Sequence, residues 1–345
     1  QAEDGIRDVE RSRGLGDVYK RQDLDADYTA AITDTDLSAT VLNDLNGNVP
    51  GLVDATSITN ITGTAAAINT LMGNEGDSGN KINLNTTFTV TVDAGSVAAA
   101  HLNTISGKTT GLVTATAATT ITGTAAAINT LVGDEGDSGD KVNLDTDFAV
   151  TVAAGSASAA HLNAINAKTT NLVTATDVTN ITGTAAAINT LLGNEGNAGD
   201  KVNLDGNFTV TVDAGSASAA HLNTINGKTT SLVTATAVTA LTGTAASINT
   251  LVGNEGNAGD KVDLDADYTA TISDTDVAAS VLNDVNANVP GLVTATDVTN
   301  ITGTAAAINT LMGNEGDSGN KINLDGNFTV TVDAGSQSAY QVNTM

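Results

Sequence analysis

Carboxylates at alternate positions are the residues of this chain best suited to chemistry. The segments DLDADY at 23 and 263, NLDTDF at 143 and NLDGNF at 203 and 323 set Asp or Asn two apart just before an aromatic. The acidic members are Asp23, Asp25, Asp27, Asp145, Asp147, Asp205, Asp263, Asp265, Asp267 and Asp325. Calcium takes about six to eight oxygen ligands, and D-x-[DN]-x-[DN] offers three from one turn. None of these segments has a full EF-hand loop with its closing bidentate Glu, and none is a GGxGxD repeat. The competing reading is that polar residues alternate outward while Gly, Asn and Asp build a turn. A second acidic element, GNEGDSGNK at 73–81, recurs around Glu135, Glu195, Glu255 and Glu315 and is open to the same two readings.

Other chemistries find less support. His101, His161 and His221 share one position in three successive repeats. At the strand spacing of ~4.8 Å they stand about 10 Å apart, too far to share a metal. The chain has no Cys, so thiol nucleophiles, thiolate metal sites and disulfides are excluded. Ser and Asp are abundant, but no third element completes a triad and no Gly-rich loop ends in GK[ST]. An enzyme needs a unique site, whereas the main polar features here recur; the chain does not read as an enzyme. The net charge of −26, from 13 Lys and Arg against 39 Asp and Glu, argues against nucleic acid or anionic lipid as partner. No apolar run reaches the ~18 residues of a membrane span.

One Asn recurs with great regularity: Asn43, Asn69, Asn103, Asn129, Asn163, Asn189, Asn223, Asn249, Asn283, Asn309 and Asn343. Stacked inside a solenoid, its amide would bond backbone groups at the turn and act as a structural ladder. Its spacings alternate between 26 and 34, because the chain repeats every 60 residues and each repeat is a doublet. ITGTAAAINT stands at 61, 121, 181 and 301, with LTGTAASINT at 241. The aromatics Tyr28, Phe88, Phe148, Phe208, Tyr268 and Phe328 keep the same period. Such regularity marks an array in which each unit buries its apolar face against its neighbours. Repeats one and five share DLDADYTA and NVPGLV, which suggests block duplication in a longer parent.

Residues 1–22 stand apart. They hold all four Arg of the chain, and the remaining 323 residues carry the whole net charge. AEDGIRD and VYKRQ resemble translated sequencing-adaptor read-through, so the segment reads as a non-native or disordered tail. The repeat region 23–345 reads as one solenoid, truncated where its last helix motif stops at Met345.

One coil shows how the elements form. FTVTV at 208–212 alternates strictly and predicts a strand with Phe208, Val210 and Val212 inward. Ser218 is placed to cap a helix over 219–226, with Ala219, Leu222 and Ile225 as its apolar stripe and Gly227 ending it. LVTAT at 232–236 and AVTAL predict two more strands; Thr244 then caps a helix over 245–252, ended by Gly253. The N-cap is Ser or Thr throughout except at Ala98 and Ala278. Eight-residue helices do not persist alone and must be held by stacking. The reading is an α/β solenoid of about eleven coils, each with strands and a short helix. A β-helix with tight turns is the alternative.

Thr-x-Thr pairs such as Thr89/Thr91, Thr209/Thr211 and Thr234/Thr236 would form an outward grid. That grid resembles the ice-binding faces of β-solenoid antifreeze proteins, although Thr also simply favours strands. At the level of whole repeats, LVTATDVTNITGTAAAINTL and TISDTDVAASVLNDVNANVPGLV resemble the repeats of giant cell-surface proteins of marine picocyanobacteria and related bacteria. The resemblance covers 23–345 and implies an extracellular or surface-anchored structural protein, with adhesion or motility roles in some relatives. The expected function is a spacer in a surface layer, filament or stalk, with a calcium-stiffened adhesin stalk and an ice binder as alternatives. Exposed strand edges further predict end-to-end self-association into fibres.

Overall fold

The computed structural model describes residues 27–334. The tail 1–22, Asp23, Asp25, Asn343 and the chain end at Met345 lie outside the described residues. Among the latter stand ten helices of eight to ten residues and 26 short strands, paired in parallel throughout. This is a repeated α/β solenoid architecture.

The repeat spanning 202–253 shows the local logic. Strands run over Val202–Leu204, Thr209–Val212, Gly215–Ser218, Val233–Ala235 and Val238–Gly243, with helices over Ala219–Asn226 and Ala245–Gly253. Phe208, Val210 and Val212 are buried while Thr209 and Thr211 face out, as period-two alternation requires. Ala219, Leu222 and Ile225 form the buried stripe of the first helix, and Ala245, Ile248 and Leu251 that of the second. The core is therefore aliphatic, with Leu222, Val233, Leu241, Ile248 and Leu251 wholly buried.

Helix ends depart from expectation at Ser158, Ser218 and Gly253. The Ser247 N–H donates to Thr244 Oγ1 at 3.1 Å, and Thr64, Thr124, Thr184 and Thr304 cap in the same way. Ser158 and Ser218 occupy N-cap positions, but their hydroxyls make no cap bond. Ser158 and Ser218 lie at ψ 130° and 125°, against 149° at Thr244. Gly227 ends its helix in right-handed conformation, which Ala167 does equally well, and Gly253 lies inside its helix with Asn254 as the C-cap.

Two strands per repeat were not legible: Gly215–Ser218 and Val202–Leu204 with their equivalents. They explain how the sheets are built. One sheet runs Gly155–Ser158, Val178–Gly183, Thr209–Val212, Val233–Ala235, Val262–Leu264. Its registered partners Ala157, Ile181, Val210, Val233 and Val262 step along the chain by 24, 29, 23 and 29 residues, one coil at a time. Thr209–Val212 and the next strand, Gly215–Ser218, belong to adjacent sheets. A new sheet thus opens at the strand equivalent to Gly215–Ser218 and another closes at the strand equivalent to Val202–Leu204. The opening edge pairs through a register shift at Gly215, whose φ of +115° favours glycine. Helix Ala185–Gly193 packs against that opening strand, which shields its edge.

The chain divides into two compact units. The first comprises the described part of Gln1–Ala94, with His101–Ala117 and Gly136–Leu144; the second comprises Gly95–Ala100, Ala118–Glu135 and the described part of Asp145–Met345. The first holds one three-stranded and one five-stranded sheet. The second holds three five-stranded sheets and one three-stranded sheet. In the second unit, helices Ala159–Asn166, Ala185–Gly193, Ala219–Asn226, Ala245–Gly253, Ala279–Asn288 and Ala305–Gly313 pack successively on one another.

Candidate functional site

The polar side chains that recur join one coil to the next. Asn223 Nδ2 donates to the Ser247 carbonyl at 2.8 Å, from one helix to the next. Asn43, Asn163 and Asn283 make the same bond to Ala67, Ala187 and Ala307, each at 2.9 Å. The acceptor is a helix carbonyl rather than a turn. Asn103 holds the equivalent place. Asn69, Asn129, Asn189, Asn249 and Asn309 lie half-buried on the alternate helices and make no such bond among the described residues.

Threonine supplies the more extensive ladder. Both the N–H and the hydroxyl of Thr299 donate to the Thr275 carbonyl, and Thr329 repeats the pattern on Thr299. Thr59 and Thr89 do the same on Thr35 and Thr59. These hydroxyls have turned their protons inward. Thr209 likewise donates to the Thr179 carbonyl and to Asn180 Oδ1 at 3.1 and 3.0 Å, and Thr211 approaches the same oxygen at 3.4 Å. The outward grid is also interrupted, because no sheet exceeds five strands.

A buried tie was not foreseen at all. Thr109, Thr169 and Thr229 are buried, and each hydroxyl donates to the carbonyl of Phe88, Phe148 or Phe208. The oxygen of Thr229 in turn accepts the Ser231 N–H at 3.1 Å. In the fifth repeat Val289 replaces the threonine, and the Gly291 N–H reaches the Tyr268 carbonyl directly at 3.1 Å. A Cβ on Gly291 would stand 2.7 Å from that carbonyl oxygen, so the direct bond requires glycine.

The acidic residues fall in turns. Asp145 Oδ1 accepts the Thr146 N–H at 2.7 Å, Asp265 Oδ1 that of Ala266 at 2.6 Å, and Asp325 Oδ1 that of Asn327 at 3.2 Å. Asp27, Asp147, Asp205 and Asp267 are exposed in the equivalent turns, and Asp263 lies on the strand Val262–Leu264. Among the described residues, no three His, Asp or Glu side chains come close enough together to hold a metal ion. On the strand Val53–Ala55, outside these turns, Asp54 accepts both the hydroxyl and the N–H of Thr56, and these bonds hold its carboxyl below the usual range.

The GNEGDSGNK element closes on itself. Gly76 N–H donates to the Ile82 carbonyl at 3.0 Å and Lys81 N–H to that of Gly79 at 2.9 Å, with Gly79 at φ +69°. Lys81 Nζ reaches back to the Gly73 carbonyl at 3.2 Å, at the helix C-terminus where a cation is favoured. Glu75 pairs with Lys108 at 3.4 Å and Glu135 with Lys168 at 3.5 Å, partly exposed pairs that contribute little individually. His101, His161 and His221 are half-buried on helices of successive repeats.

Comparison with family models, curated proteins and solved structures finds no match to this chain. No helix among the described residues is long and apolar enough to cross a membrane.

Proposed function

We propose that this chain is a structural spacer of an extracellular surface layer, filament or stalk. The observation that carries the reading is the use of its recurring polar side chains: Asn, Thr and Asp bonds join each coil to the next or cap its turns. In this reading the protein has no catalytic role. The function is mechanical, with stacking setting reach and the acidic surface keeping neighbouring molecules apart in salt water. The sequence resemblance to bacterial surface repeats supports the location.

Stretching single molecules of the full chain tests the mechanical part. Expected are unfolding steps that release whole sixty-residue repeats, roughly 210 Å each at ~3.5 Å per residue. Featureless extension at low force would overturn the reading. Antibody labelling of intact producing cells tests the location, and signal only after lysis would refute it.

A further inference from the structure

A cavity of about 160 Å³ lies in the second unit, between Leu192, Glu195, Leu204, Asp205, Phe208 and Lys228. Its floor is apolar: Leu192, Leu204 and Phe208 are buried. Its rim carries two carboxylates and one ammonium. Gly206 completes the wall, and a Cβ there would meet nothing within 4 Å. The volume is about that of five water molecules at ~30 Å³ each. That suits an amino-acid-sized solute rather than a cofactor.

The chain itself shows what fits this space. Sixty residues on, Ala266, Tyr268 and Asn288 replace Gly206, Phe208 and Lys228. Tyr268 donates its hydroxyl to the Asn288 carbonyl at 3.3 Å, and burial together with Glu255, the equivalent of Glu195, pushes its pKa up to about 12. Tyr268 thus carries, within the influence of the equivalent glutamate, a hydrogen-bond donor that Phe208 lacks. The exchange is paired throughout: Phe88, Phe148 and Phe208 go with Lys108, Lys168 and Lys228, while Tyr28 and Tyr268 go with Asn48 and Asn288. In the Phe88 and Phe148 repeats the lysine pairs with its glutamate. Among the described residues, no ion pair joins Lys228 to Glu195.

We propose that the cavity at Phe208 binds a small zwitterion with an aliphatic body. Its ammonium group meets Glu195 and Asp205, its carboxylate meets Lys228, and its body covers Leu192, Leu204 and Phe208. A simple cation leaves Lys228 unmatched, and a simple anion meets two like charges. Solvent-facing ion pairs are individually weak, so affinity falls in the millimolar range. The site is independent of the spacer role and of where the protein resides.

The test is a titration of the isotope-labelled full chain with L-valine, followed by nuclear magnetic resonance. Isobutylamine and isobutyrate serve as single-charge probes. Phe208→Tyr and Lys228→Asn, separately and together, copy the pair already present at 268 and 288, and unchanged spectra elsewhere verify their folding. Saturable millimolar shifts at the Phe208 ring and Lys228, weakened at least tenfold in the double variant and with either single-charge probe, are expected. Absence of saturation overturns the proposal. So does equal binding of isobutylamine, which reduces the effect to attraction by the acidic surface, and so does undiminished binding by the double variant.

Discussion

Asn223 and Ser247 lie 24 residues apart in sequence and 2.8 Å apart in space, joined from side-chain amide to helix carbonyl. The bond crosses from one helix to the next, so it holds coil against coil rather than shaping either one. Asn249, the recurring Asn of the following helix, has no counterpart to it among the described residues. Residues indistinguishable in the sequence therefore differ in energetic role.

Asn223→Ala should destabilise the chain by about 1 kcal/mol, the usual net value of such a bond. Asn249→Ala should stay within roughly 0.5 kcal/mol of the parent. Urea titration with a circular-dichroism readout separates them. Equal losses at both sites would show that packing, not the amide bond, sets the cost.

Thr229→Val removes a buried hydroxyl that serves both the Phe208 carbonyl and the Ser231 N–H. Leaving those groups unpaired should cost about 1–3 kcal/mol. Adding Ser231→Gly should recover part of the loss, because Gly291 makes the direct bond beside Val289 in the fifth repeat. A single variant as stable as the parent would show that the hydroxyl is dispensable.

The same residues show what the sequence could reveal. The sixty-residue period, its division into 26 and 34, and the helix over 219–226 were legible because aliphatic residues recur at helical or strand spacing. The strand Gly215–Ser218 was not, since Gly-Ser-Ala-Ser has no apolar alternation and is extended through pairing with Val238–Gly243, one coil further on. Thr229 looks like any other threonine until Phe208, 21 residues earlier, is placed beside it. For the acidic turns, spacing locates the carboxylates but not their partners: those of Asp145, Asp265 and Asp325 each accept a backbone N–H of the same turn. Local pattern determines elements; which side chains meet depends on the coil above.

Tyr268 makes stability sensitive to alkaline pH. Its pKa is about 12 in the fold against 10.0 ordinarily, so between these values the folded chain retains a proton that the unfolded chain has lost. Its stabilising contribution is complete below pH 10 and disappears as pH rises through about 12. Tyr268→Phe should flatten the decline in melting temperature over that window and remove one late-titrating phenol from the tyrosinate absorbance curve. Identical pH profiles in parent and variant would contradict this.

Calcium addresses the acidic turns directly. A specific ion site stabilises the folded state in proportion to the logarithm of ligand concentration, whereas general screening depends only on ionic strength. The turn carboxylates of Asp145, Asp265 and Asp325 each accept a backbone N–H, and no three acidic or histidine side chains gather among the described residues. The net charge of −26 nevertheless makes the whole chain sensitive to salt. Calcium and magnesium should therefore raise the melting temperature equally, and sodium chloride should also raise it by screening. A rise with calcium that magnesium does not reproduce, reversed by chelator, would instead identify these turns as calcium ligands and favour a calcium-stiffened stalk.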